Sequence, residues 1–188
     1  MTSQQRISVK LFIEPSTQPA TADVVKVFHA WIRESRVPDV LVDVADYGHV
    51  PSGPSVLLVG HATDHVFDHS GGRPGLLVLR KRGEEPPAER LGSIVTRALA
   101  SAVSFGQEPS LTGVQFLTSE LELRFVDRLR TPATAEGEAA VRPELEQLAA
   151  RLFPQGARVE RCESEGQPLS FRVTSDEQPT LAELAARA

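Results

Sequence analysis

Cysteine is almost missing from this chain: Cys162 stands alone in 188 residues. One thiol excludes an internal disulfide and any zinc site built on a cysteine pair, and it fits a reducing compartment. Lysine is scarce too, limited to Lys10, Lys26 and Lys81, and the more numerous arginines are scattered among acids. The formal net charge of −5 argues against a nucleic-acid surface, which needs a basic stripe. Aromatic residues make up 5% of the chain, too few for the stacking platform that holds single strands. No apolar run comes near the ~20 residues that span a bilayer. Met1 to Arg6 lacks the charged and apolar segments of a secretory leader. The expectation is a cytoplasmic protein with neither nucleic acid nor membrane as partner. The sequence also contains no P-loop, no G-x-G-x-x-G and no G-x-S-x-G, so the common phosphate cradles and the nucleophile elbow are excluded.

What is present is ordinary in amount. Apolar residues make up 40% and charged residues 24%. A chain of this length buries roughly 70% of its unfolded surface, so a normal core forms without staples. We read residues 1–188 as a single α+β domain, with an internal division near residues 107–112.

Periodicity sets the elements. Ile7, Val9, Leu11 and Ile13 alternate with Arg6, Ser8 and Lys10, which predicts a strand with one wet face. Thr21 is placed as an N-cap. Val24, Val27, Phe28, Trp31 and Ile32 follow at helical spacing, with His29 on the polar side. Three apolar runs, Val40–Val44, Val56–Val59 and Leu76–Leu79, read as strands covered on both faces and therefore as the centre of a sheet. The connections between them are too short for crossover helices, so antiparallel pairing is expected. Asp64 to Asp68 is expected to form a hairpin with Leu76 to Lys81, and Lys81 to Pro87 a charged loop. Leu91, Ile94, Val95, Ala98, Leu99, Ala102 and Val103 make the clearest helical stripe. Gly113 to Asp127 alternates as a hairpin turning at Thr118–Ser119. Pro143 opens a further helix. Strands at Arg158–Glu163 and Leu169–Thr174 and a helix at Thr180–Ala188 close the chain. The fold expected is a mainly antiparallel sheet packed against amphipathic helices, either in two layers or sandwiched by the partner of a homodimer.

Candidate site residues cluster between Asp39 and Arg82. Four of the five histidines lie there, at His49, His61, His65 and His69. His61, His65 and His69, with Asp64, have the residue types of a metal site, and neutral imidazoles suit a divalent ion such as zinc. The spacing works against a simple version. On a strand each four-residue step covers about 13 Å, so the three rings cannot meet one ion. Asp46, Tyr47, His49 and Arg73 form a second candidate group, at a sheet rim where a ligand can bind. Asp43, which interrupts an apolar strand, needs a partner if buried. Arg73, Arg80, Lys81 and Arg82 offer positive charge for an anion. Two function classes follow. The first is a non-catalytic binding or assembly module for a protein or small ligand, acting as a homodimer. The alternative is a metal-dependent, hydrolase-like enzyme using His61, His65 and His69.

Overall fold

The structure, a computed structural model, describes residues 6–50, 54–81, 89–162 and 166–188. In chain order its elements are β1 (Ile7–Ile13), α1 (Thr21–Glu34), β2 (Leu41–Asp46), β3 (Pro54–Gly60), β4 (Thr63–Asp68), β5 (Gly75–Arg80), α2 (Arg90–Gly106), β6 (Phe116–Phe125), α3 (Ala135–Leu152), β7 (Arg158–Arg161), β8 (Leu169–Thr174) and α4 (Leu181–Arg187). The strands form one sheet in the order β2-β3-β4-β5-β1-β6-β8-β7. Every neighbouring pair is antiparallel. The protein is an α+β fold of two layers, with the helices packed on one face of the sheet into a single apolar cluster.

Parting the chain between α2 and β6 exposes a repeat of topology that the sequence does not display. Strand, helix, hairpin and helix follow as β1, α1, β4–β5, α2, and again as β6, α3, β7–β8, α4, with β2–β3 added to the first set. The two sets meet along β1 and β6, which pair Val9 with Leu123 and Lys10 with Glu122. The helical crossovers from β1 to β2, β5 to β6 and β6 to β7 each join parallel strands over one helical layer. They therefore share one hand, as such connections do.

The helices form where the apolar period predicted. Val24, Val27, Phe28 and Trp31 are the buried positions of α1. Leu91, Ile94, Val95, Ala98, Leu99 and Ala102 are buried in α2. Aromatic rings bind the two helices together: Phe28 lies 6.2 Å and Trp31 6.3 Å from Phe105, centroid to centroid. Trp31 also donates its indole N–H to Glu108 Oε1 at 2.7 Å, so its one polar atom is satisfied inside the core.

Five expectations are corrected. β1 has no wet face: all seven residues are buried, because it lies between β5 and β6 and its polar side finds partners on more distant strands. β2 is an edge strand rather than a central one, and Val40 and Val42 stand 69% and 63% exposed. Asp43 is exposed there too and needs no buried partner. Gly113 to Asp127 is no hairpin, since Phe116–Phe125 is one strand bonded on both sides, to β1 and β8. Thr118 and Ser119 fall where its register against β1 shifts, between Leu11–Leu121 and Ile13–Phe116. That makes the polar pair the mark of a bulge instead of a turn. Pro143 lies inside α3, which starts at Ala135 with Thr134 as cap. Thr21 is the first residue of α1, and Ala20 is its cap. The expected charged loop falls largely on residues 82–88, outside the described residues.

Candidate functional site

The sheet face away from the helices carries two different surfaces. Over β3, β4 and β5 its middle is apolar, with Leu57, Val66 and Leu77 side by side in register and Val59 and Leu79 nearby, between Asp64 and Asp68 of β4. Over β1, β6 and β8 it is charged, with Lys10, Glu122 and Arg172 in register.

Lys10 lies at the seam and is 2% exposed. Its ammonium reaches across β5 to Asp68 on β4, with Nζ 2.7 Å from Oδ2. Gly75 makes that crossing possible: a Cβ there would stand 2.9 Å from Lys10 Cε and 2.5 Å from the Leu11 carbonyl oxygen. Asp68 also accepts from the Ser70 hydroxyl at 2.6 Å and from the Ser70 amide at 3.2 Å. Burial works to raise the Asp68 pKa, but the Lys10 charge and the donors from Lys10 and Ser70 overcome it and hold the carboxyl below its usual range. Burial lowers the Lys10 pKa, and Asp68 only partly offsets that.

Beside this pair opens a groove of about 430 Å³, with Phe12, Arg73, Arg124, Cys162, Ser170 and Arg172 in its wall. The Arg73 guanidinium carbon lies 3.9 Å from the Phe12 ring centroid and that of Arg172 5.6 Å, distances at which a cation is attracted to the ring face. Arg73 is held by both oxygens of Glu120. Arg124 Nε donates to Glu122 Oε1 at 2.5 Å, whereas Arg172 reaches the other oxygen only at 3.5 Å. Arg172 Nε is buried and has no hydrogen-bond partner among the described residues. Two guanidiniums thus share one carboxylate. Glu160, opposite Arg172 in the β7–β8 register, is exposed. Burial pushes the Cys162 thiol up, which keeps it protonated and a poor nucleophile.

The histidine segment is a strand, so successive residues face opposite ways. His65 turns to the helices, 2% exposed, with its ring 5.9 Å from Trp31 and Nε2 3.0 Å from Ser101 Oγ. Burial pushes its pKa down to about 4, so it is neutral at physiological pH. Asp64 lies on the other face and pairs with Lys81 at 2.6 Å. His61 sits in the turn before β4, exposed. His69 follows the far end of β4, where Nδ1 lies 2.6 Å from Ser55 Oγ and burial lowers its pKa. The structure does not bring these four together, and the described residues contain no group of three or more metal-ligating side chains.

The rim group is also divided. Asp46 accepts from the Gly48 amide at 2.8 Å, and Tyr47 and His49 are exposed near neighbours with centroids 6.4 Å apart. Arg73 belongs to the groove instead. Arg80 points into the core, 3% exposed, and Arg82 lies outside the described residues. Sequence reading missed Lys10, Phe12, Arg124 and Arg172. The available signal was a lysine and two arginines at the outward-alternating positions of strands whose other positions are apolar.

No protein-family model matches the chain, and no curated protein matches it either.

Proposed function

We propose that the protein is a non-catalytic binding module whose open sheet face takes a small anion, a carboxylate or phosphate, in the groove beside Phe12. One observation carries this reading. Arg124 and Arg172 share the single carboxylate of Glu122, and a buried Arg172 N–H has no partner among the described residues. An unmade buried hydrogen bond costs about 1–3 kcal/mol, and an anion answers it with charge-assisted bonds. Glu120 and Phe12 hold Arg73 in place, so the groove is organised before the ligand arrives.

Calorimetry with inorganic phosphate and with citrate, at fixed ionic strength, tests the reading. Saturable binding is expected for at least one of them, weakened about tenfold or more by Arg172→Gln, which corresponds to roughly 1.4 kcal/mol. Absence of saturable heat with both anions contradicts it.

The apolar half of the same face we assign to a second copy of the chain. The β2 edge does not offer a comparable contact, because β2 and its flank carry Asp39, Asp43 and Asp46, and two such edges would oppose like charges. Light scattering is expected to give twice the chain mass at high concentration, and Leu79→Glu the single mass. A wild-type monomer throughout the concentration range removes the dimer.

A further inference from the structure

On the helix side of the sheet a second cavity lies between the residues that follow α1, the start of β4 and the middle of α2. Its volume is about 170 Å³, and Val37, Pro38, Thr63, His65, Ala100 and Ser101 are among its walls. The lining is mainly apolar, yet two of its residues carry polar atoms in difficulty. Thr63 Oγ1 and His65 Nδ1 are buried without hydrogen-bond partners among the described residues, on side chains of residues that are each 2% exposed.

The state of the imidazole follows from its neighbours. Ser101 Oγ lies 2.9 Å from the Arg97 carbonyl oxygen and donates its only proton there. Toward His65 the hydroxyl can therefore act only as an acceptor, so Nε2 carries the hydrogen. Nδ1 is then a bare acceptor. The charged groups around the ring have other engagements: the Asp39 carboxylate takes the amides of Ala62 and Thr63, Asp64 pairs with Lys81 on the opposite face, and Arg97 reaches the Pro38 carbonyl oxygen at 3.5 Å.

We propose that this cavity binds a small, neutral, single-ring-sized organic molecule carrying a hydroxyl or N–H group, which donates to His65 Nδ1 and meets the Thr63 hydroxyl. The size follows from volume, since an apolar cavity of about 150 Å³ holds one benzene. The neutral character follows from the walls, which are mainly apolar and whose charged residues, Arg36, Asp39 and Arg97, already have partners, so a charged ligand would be desolvated at a cost. The donor requirement follows from the tautomer.

The test is NMR titration of the full chain at neutral pH with phenol, and with anisole and benzene as ring molecules that lack a donor. Phenol is expected to bind saturably, with the largest shifts at Thr63, His65 and Ala100, and at least about tenfold more tightly than anisole or benzene. In His65→Phe that preference disappears. If this variant does not fold, the wild-type comparison decides by itself. No saturable binding of phenol, binding of anisole or benzene as tight as that of phenol, or a preference unchanged in a folded His65→Phe protein would each overturn the proposal.

Discussion

Asp68→Asn is expected to remove about 3–5 kcal/mol of folding stability, the usual cost of breaking a buried ion pair by taking one partner away. The amide keeps the shape of the carboxylate but leaves Lys10, 2% exposed, without its counter-charge. The Lys10 pKa is already lowered by burial; in the variant it falls further, and shedding the proton limits the loss. Asp68→Leu combined with Lys10→Met is expected to recover most of the stability, because apolar replacement of a whole buried pair is often neutral. The remaining deficit is about 1 kcal/mol from the Ser70 hydrogen bonds that Asp68 accepts. Urea denaturation of the two variants measures both values. A cost below about 1 kcal/mol for Asp68→Asn would show that the pair is not closed to water.

Stability is expected to fall by about 3 kcal/mol as the pH drops from 6.5 toward 4, through His65 alone. The ordinary histidine value of 6.5 describes the unfolded chain, and burial pushes the folded value down to about 4. A depressed folded pKa means that the unfolded state takes up the proton first. The contribution is complete above about pH 6.5 and declines steadily to pH 4, at 1.36 kcal/mol for each pH unit. Below that range Asp68 adds its own loss, since its carboxyl is also held low. His65→Phe keeps an aromatic ring against Trp31 and is expected to make the profile between pH 6.5 and 4 shallower, leaving the part that His69, also held low by burial, contributes. Denaturation curves at several pH values make the comparison, and a variant as pH-dependent as wild type would place the titration elsewhere.

Local pattern carried the helices and missed what lies across the sheet. Val24, Val27, Phe28 and Trp31 are legible because one helix turn places them on one face regardless of the rest of the chain. The alternation of β1 was equally clear, but its reading as half wet failed at Lys10. What buries that residue is Asp68, 58 positions away, and no local period records such a partner. The β-branched run Val40–Val44 was read as central because apolar strands usually are; only the sheet order shows that it forms the edge. For the histidines, the objection from strand geometry was available in the sequence, and β4 has the register that it assumed. The pocket beside His65 was not, since it depends on Ser101 of α2, 36 residues further on. The groove was illegible for the same reason: it assembles Phe12, Arg73, Arg124 and Arg172 from four separate segments, and the Arg172 N–H without a partner among the described residues appears only when the strands are in register.

The anion groove is tested most directly by following arginine side-chain Nε–H resonances by NMR while inorganic phosphate is added at constant ionic strength. Saturable shifts are expected at Arg172 first and at Arg124 beside it, with exposed arginines such as Arg33 unmoved. Shifts of similar size on all arginines, or none at Arg172, would contradict the assignment of this face as a binding site.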